Sequence, residues 1–317
     1  MLEVATPLLA RHTVTDPHID SLSVVTGGGD SDPDGADAVR FLQTSPEYAM
    51  KRLLAAGFPS IYQMGSCFRA GENGARHNSE FTMLEWYRLG FSLDALIDEV
   101  EALMLVLDGV LDPLPDPLPD PGPEHLPKDE RALTARFARV AYGDLFERAV
   151  GINPHQASDD ALRAVLADTI ELSAGAAPPR NDCLDLLFSQ CVQPGLTAPT
   201  FVVDYPASQS ALAELGEDAS GQPVARRFEF FAGGVELANG YFELRDGAEL
   251  EARMREDNRL RLALGKDAVS PDERLLAALD AGLPLCSGVA LGIERVLMVL
   301  LGKGEIDQVI AFSAARS

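Results

Sequence analysis

The sequence predicts an α+β fold, a mainly antiparallel β-sheet flanked by helices. Three observations carry that expectation. Residues 60–88 read as strand, polar loop, strand; residues 226–245 read as a hairpin turning at Gly233-Gly234; and amphipathic helices with capping residues fill much of the rest. The chain has 317 residues, enough for one large domain, and its 46% apolar content supplies a sizeable core. Asp and Glu total 49 against 26 Lys and Arg, a net charge of -23 with no basic run. Tight non-specific nucleic-acid binding depends on neutralising phosphates, so this balance argues against it. No apolar run approaches the roughly 18 residues that span a bilayer, and no signal peptide is recognisable, so a cytoplasmic protein without membrane contact is expected. Cys67, Cys183, Cys191 and Cys286 lack Cys-x-x-Cys pairing and read as buried free thiols of a reducing compartment.

Taken in order, residues 2–9 predict one short strand ending at Pro7, and residues 11–20, with His12, Asp16 and His18, a polar connection. Residues 27–37 read as a turn whose Asp-x-Asp-x-Asp spacing lacks the flanking helices and terminal Glu of a calcium loop. Ser45-Pro46-Glu47 opens a helix, with Ser as N-cap, Pro at N1 and an acid in the first turn; Gly57 closes it. The strand over 60–68 delivers Arg69, and the loop after it carries Glu72, Arg76, His77 and Asn78. The returning strand alternates, so that Phe81, Met83, Glu85 and Tyr87 share one face. An aromatic, a carboxylate and a phenol in a row beside an arginine suit a nucleotide and a cationic ligand; an ordinary hairpin with solvated charges is the competing reading.

Ser92 caps a helix whose apolar face is plain core. The proline-rich run at 111–130 predicts an extended acidic spacer. Short helices are expected near 142–150, 158–167 and 182–192, so that 131–195 forms a helical insertion between two halves of the sheet. Residues 200–205 return to strand. In the hairpin that follows, a Gly233-Gly234 turn pairs Ala232 with Val235 and Phe231 with Glu236, and sets Glu229 diagonally across from Glu236. Glu243 lies an odd seven residues beyond Glu236, on the other face, unless a bulge at Asn239-Gly240 returns it. That bulge is predicted, because three acids converging among Phe228, Phe230, Tyr241 and Phe242 make a coherent site for Mg²⁺ and an ammonium group. Helices follow at 247–264 and 271–281. Finally Gly288, Ala290 and Gly292 alternate along a strand, leaving a bare face on which a flat ligand can lie; Gly292 then opens a helix with Arg295 in its first turn.

These stretches resemble the three motifs of the class II aminoacyl-tRNA synthetases: Pro7 ending an initial strand; Phe68-Arg69, His77-Asn78 and the run 80–87; and Gly292-x-x-Arg295. Thr44-Ser45-Pro46-Glu47-Tyr48, Phe-Thr-Met-Leu-Glu-Trp-Tyr at 81–87 and Glu236-Leu237-Ala238-Asn239-Gly240 resemble the lysine branch. Pro206-Ala207-Ser208-Gln209 and the run 286–292, with Ala290 where the synthetases have glycine, look like the stand-alone paralogues of that branch that modify elongation factor P. The resemblance covers nearly the whole chain. It implies a single class II synthetase-like catalytic domain over 1–317 without an anticodon-binding domain, a homodimer, and a ligase using ATP and Mg²⁺. Lysine or (R)-β-lysine would be activated as an adenylate and passed to a lysine side chain of elongation factor P rather than to tRNA. A tRNA-acylating enzyme and an inactive paralogue that only binds an amino acid or nucleotide are the alternatives.

By the same resemblance Arg69 grips the α-phosphate, Phe81 and Arg295 sandwich the adenine, and Arg69 and Arg295 are the catalytic pair. Glu72, His77, Asn78, Glu236, Leu237 and Gly292 hold ATP. Ser45, Pro46 and Glu47 bind the substrate, Glu47 taking its α- or β-amine, with Ala290 at the pocket wall. Glu85, Tyr87 and Glu243 neutralise its side-chain ammonium, and Glu229 with Glu236 binds Mg²⁺. One departure stands out: the family's second motif runs Arg-x-Glu, whereas here Gly71 occupies the acid's place and Glu72 follows one residue late.

Overall fold

The computed structural model describes residues 1–25, 39–110, 133, 137–170, 177–314 and 316; the turn expected at 27–37 and the spacer at 111–130 lie outside the described residues. The chain divides into two compact units, residues 1–91, 243–294 and 304–317 forming one, and residues 92–242 and 295–303 the other.

The first unit opens with β1 (Leu2–Glu3), β2 (Leu9–Ala10), β3 (Ser23–Val25), β4 (Val39–Leu42), α1 (Glu47–Ala55), β5 (Ile61–Phe68) and β6 (Glu80–Leu89). The single strand expected over 2–9 is in fact two. β1 runs parallel to β5, while β2 pairs antiparallel with β4 in a separate three-stranded sheet. Pro7, which has no N–H to donate, lies between them. Helix α1 starts as its sequence requires. Pro46 has helical angles (φ -77°, ψ 0°), the Glu47 N–H donates to Ser45 Oγ at 3.0 Å, and Gly57 leaves the helix in the left-handed region at φ 91°. Its inward face is Met50, Lys51 and Leu54.

β5 and β6 are antiparallel, with Gln63 opposite Glu85 and Cys67 opposite Phe81. The expected alternation holds, and both faces of β6 are covered. Met83, Glu85 and Tyr87 are buried on one side and Trp86 on the other.

The second unit contains α2 (Leu93–Val110), β7 (Ala138–Ala141), α3 (Tyr142–Val150), α4 (Asp159–Thr169), α5 (Arg180–Leu187), β8 (Thr200–Pro206), β9 (Leu215–Glu217), β10 (Pro223–Ala232) and β11 (Val235–Phe242). Ser92 caps α2 by accepting the Ala95 N–H at 3.2 Å, and Leu96, Ile97, Val100 and Met104 are its buried stripe. Helices α3 to α5 form close to where the periodicity puts them. They share one core with the sheet: Tyr142 and Phe188 stack at 4.8 Å between centroids, and Phe146, Leu184, Tyr205 and Phe231 belong to the same cluster. β7 is parallel to β8, and β8, β10 and β11 are antiparallel neighbours.

The β10–β11 hairpin turns on Gly233 and Gly234, both at positive φ (60° and 70°), as a tight turn of this kind requires. Ala232 pairs with Val235 and Phe231 with Glu236, as expected. The bulge is not at Asn239-Gly240. The register shifts between Phe230 and Phe231, which face Ala238 and Glu236, so Leu237 is the extra residue. Leu237 is apolar and buried, so the core takes its unpaired position, while Asn239 and Gly240 stay in regular register with Glu229 and Phe228.

The first unit resumes with α6 (Gly247–Ala263), α7 (Glu273–Gly282) and β12 (Cys286–Gly292), and α8 (Ile293–Leu300) follows without a break. Asp246 and Asp272 cap α6 and α7. β12 lies antiparallel to β6 with Gly288 opposite Tyr87, Ala290 opposite Glu85 and Gly292 opposite Met83. This register sets the three smallest side-chain positions of β12 beside the chemically loaded face of β6. Among the described residues no helix is long and apolar enough to cross a membrane.

Candidate active site

In the first unit α1, β6, β12 and the residue after β11 bring together a closed cage of carboxylates. Glu85 is buried on the middle of β6, and both of its oxygens are occupied. Tyr87 Oη donates to Oε1 at 2.6 Å and Ser45 Oγ to Oε2 at 2.7 Å. Ser45 therefore serves the helix start and the site together. Glu243 is buried beside it, and its Oε2 lies 2.6 Å from the Nζ of Lys51. The same ammonium donates to Glu47 Oε1 at 2.7 Å. Lys51 and Glu243 are each only 1% exposed, whereas Glu47 keeps 16% of its side chain open.

Lys51 is absent from the sequence reading. Its signal is the i,i+4 spacing from Glu47, which reads as an ordinary surface ion pair on a helix. Only burial turns it into part of a site.

Burial pushes the Glu85 carboxyl up to about 7, with the charge of Glu47 adding to the rise and the bonds from Tyr87 and Ser45 offsetting part of it. Burial likewise raises Glu243 to about 8 against the opposing pull of Lys51. Burial disfavours the Lys51 charge too, but the attraction of Glu243 and Glu47 outweighs it, and Lys51 is raised above the ordinary lysine value. Tyr87 is raised well above a free phenol, chiefly by burial, and stays a donor. Three carboxylates thus share one resident ammonium, and the cage is short of positive charge.

A pH dependence follows. A carboxyl whose pKa is raised on folding binds its proton more tightly in the folded state. Its stabilising contribution is present at low pH and is lost as pH rises through the folded pKa. Glu85 and Glu243, with Glu229 in the second unit raised to about 7, place that loss between about pH 5 and 8. The melting temperature of the ligand-free protein is expected to fall across this window, as read by scanning calorimetry. A rising melting temperature would contradict these assignments.

Gly288 corrects one expectation. Its bare face does not lie open to a flat ligand. A Cβ there would meet two ring carbons of Tyr87 and lie 2.6 Å from Glu243 Oε1. The missing side chain is what lets the phenol and the carboxylate pack against the strand. Ala290 and Gly292, farther along, are partly exposed.

At the far end of β5 the Arg69 guanidinium lies 5.1 Å from the Phe81 ring centroid, and its Nε is buried with no hydrogen-bond partner. A buried donor left unmatched in this way suits an incoming oxyanion. Gly71 sits at φ 77°, a turn conformation that disfavours the acid the motif usually carries, and Glu72 comes to within 3.7 Å of Arg69. His77 is exposed in a turn bridged to Gly74. Asn78 is buried. Its amide donates to Glu80 O at 2.7 Å and accepts the Ala314 N–H at 2.9 Å. Glu294, also absent from the sequence reading, accepts the Thr82 N–H at 2.8 Å.

In the second unit Glu229 accepts the Tyr205 hydroxyl at 2.7 Å and pairs with Arg227, which is itself stacked 4.4 Å from the centroid of Tyr205. Glu236, diagonally across the hairpin, is more open, and Arg295 Nη1 donates to its carbonyl at 3.1 Å and lies 3.6 Å from its carboxylate. The three-acid convergence expected for the hairpin takes another form: Glu229 and Glu236 stay together on this hairpin, while Glu243 joins Lys51 in the first unit. No group of three or more His, Cys, Asp or Glu with metal-holding geometry occurs among the described residues. Arg227 and Tyr205 were not anticipated as partners of Glu229.

The family model for class II tRNA synthetases (D, K and N) matches residues 1–316. The chain is 43% identical to the elongation factor P–(R)-β-lysine ligase of Proteus mirabilis (strain HI4320), over all of this chain and 90% of that protein. It is also 43% identical to the ligase of that name from Vibrio cholerae serotype O1 (strain ATCC 39315 / El Tor Inaba N16961), and 41% identical to the one from Klebsiella pneumoniae (strain 342), with the same coverage.

Proposed function

The chain belongs to the class II tRNA synthetase family of the D, K and N type, and from that premise we propose that it is an ATP-dependent ligase that activates lysine or (R)-β-lysine and transfers it to a lysine side chain of elongation factor P. The observation that carries the reading is the carboxylate cage. Glu47, Glu85 and Glu243 lie together with Lys51 as the one cation that the described residues place in contact with them, which is a demand for a ligand bearing ammonium groups. In the first step the substrate carboxylate attacks the α-phosphorus of ATP, an aminoacyl-adenylate forms and pyrophosphate leaves. In the second a neutral amine of the acceptor attacks the acyl carbon, an amide forms, AMP leaves and the amine gives up its proton.

No side chain need act as base for activation, because the nucleophile is already a carboxylate. Positioning and charge stabilisation suffice. Glu85, with its Tyr87 and Ser45 donors, and Glu243 take the side-chain ammonium, and Glu47 at the mouth takes the other amine. Ala290, opposite Glu85, forms the wall. Arg69 grips the α-phosphate, and its unmatched Nε is the donor for it. In the first unit Phe81 stacks on the adenine, and Glu72, His77, Asn78 and Gly292 line the nucleotide. The pairing of Glu72 with Arg69 supports its standing in for the acid absent at Gly71.

Glu229 and Glu236 offer two carboxylates, the first already engaged by Arg227 and Tyr205. This suits Mg²⁺ held largely by the phosphates of its nucleotide, as that ion prefers. Glu229 and Glu236 would hold the ion, which would supply positive charge against the phosphates. The enzyme is read as a cytoplasmic homodimer with a single catalytic domain.

The experiment is incubation with ATP and labelled lysine or (R)-β-lysine in the presence of elongation factor P or of tRNA. Label on elongation factor P is the expected result. Label on tRNA alone would make the protein a tRNA-acylating enzyme, and no lysine-dependent pyrophosphate exchange with either isomer would make it an inactive binder.

A further inference from the structure

The buried lysine has no place among the roles just given. It lies one turn after Glu47 on the covered face of α1, so its ammonium is fixed among the acids. A buried ammonium persists only where carboxylates hold it. The titratable groups around it are Glu47 and Tyr48 on α1, Glu85 and Tyr87 on β6, Glu243, and Cys286 on β12. Arg245 acts on Cys286 from outside the cage, and Asp257 and Asp272 act likewise on Tyr48. The phenols stay neutral because burial raises them, and so does the thiol of Cys286, raised to about 12. The groups of the cage left to carry charge are therefore three carboxyls, two of them protonated at low pH, and one ammonium.

We propose that Lys51 is a specificity-determining residue of the amino-acid site: as a resident ammonium held between Glu47 and Glu243, it sets the unmet charge at two, so that an amino acid carrying two ammonium groups neutralises the cage and one carrying a single ammonium does not. This rests on the reading of the protein as a lysine-activating ligase and adds the residue that fixes the number of charges its substrate must bring. Three carboxylates without Lys51 would accept two ammonium groups and still hold one proton. With Lys51, both incoming charges are matched and the cage carries no proton at all.

The unmet charge of two can be measured on the unaltered protein, while the part Lys51 plays in it is read from the variants below. Lysine is titrated into it without ATP, by calorimetry in buffers of differing ionisation enthalpy, at pH 6 and near pH 9. Release of about two protons per lysine bound at pH 6, falling to none or to net uptake near pH 9, is expected, since Glu85 and Glu243 hold their protons at the lower pH and not at the higher, where the α-amine of free lysine is itself partly neutral. Norleucine, with one ammonium, is expected to bind at least about tenfold more weakly. Release of one proton or none at pH 6, or equal binding of norleucine, overturns the proposal.

In the variant Lys51→Met the KM for lysine in pyrophosphate exchange is expected to rise about tenfold or more at neutral pH with a small change in kcat. The acid limb of its pH profile moves upward by about one unit, because the carboxylates lose the cation that eased their ionisation. An unshifted profile in a folded variant overturns the proposal; should Lys51→Met fail to fold, Lys51→Gln, which removes the charge, and Lys51→Arg, which keeps it, are read in the same way, and a profile that does not differ between those two overturns it. Absence of exchange by the unaltered protein with either lysine isomer would instead remove the functional reading.

Discussion

Glu243→Gln is expected to lower lysine-dependent pyrophosphate exchange by roughly thirty-fold to several thousand-fold, the kinetic equivalent of about 2–5 kcal/mol for removing one partner of a desolvated charge pair. The side chain is 1% exposed, its carboxylate lies 2.6 Å from Lys51 Nζ, and in the proposed site it also takes the incoming ammonium. The effect on stability should have a different sign. Above about pH 8 the empty cage holds more carboxylates than ammonium groups, and glutamine removes one of the repelling charges while keeping the shape. The melting temperature of the ligand-free variant near pH 8.5 is therefore expected to equal or exceed that of the parent, even as activity collapses. A purely structural ion pair would lose both. Exchange within about threefold of the parent would take Glu243 out of the amino-acid site.

Gly288→Ala is expected to act on the same cage through packing. The added methyl group would lie 2.6 Å from Glu243 Oε1 and against the ring of Tyr87, both of which are buried and cannot retreat into solvent. Overpacking of this kind costs about 1–3 kcal/mol. A fall in kcat/KM of roughly five- to 150-fold is expected, carried mainly by KM, as Tyr87 and Glu243 leave their places, together with a lower melting temperature. Gly109→Ala is the contrast. It sits near the end of α2 with nothing within 4 Å of the added Cβ, and the change is expected to stabilise by up to about 1 kcal/mol through helix propensity alone. Equal behaviour of the two variants in melting and kinetics would mean that the close approach at Gly288 has no consequence.

The residues differ in how far their role could be read before the fold was in hand. The shared face of Glu85 and Tyr87 was legible because strand alternation places side chains with a period of two, and a carboxylate and a phenol on a covered face demand an explanation. The Gly233-Gly234 turn and the pairs next to it were legible because a two-residue turn with positive φ sets the register locally. The bulge was misplaced to Asn239-Gly240, since glycine is the residue that most readily tolerates irregular backbone. The hairpin instead shifts at Leu237, where an apolar side chain gains a buried position. The split of residues 2–9 was hidden for a related reason: which strand each half joins depends on neighbours some thirty to sixty residues away.

What the sequence by itself determined are features with local causes: the helix start at Ser45, the strands around the 69–80 loop, the two-glycine turn, the small side chains of β12, and the motif pattern that marks the family. Tertiary structure alone decided which charges meet. Lys51 and Glu243 are 192 residues apart in sequence and 2.6 Å apart in space, and Tyr87 finds its room at Gly288 only through the pairing of β6 with β12. The physical reason is that a helix or turn forms from interactions within a few residues, whereas the energy of a charge depends on its burial and on whatever group the fold brings against it.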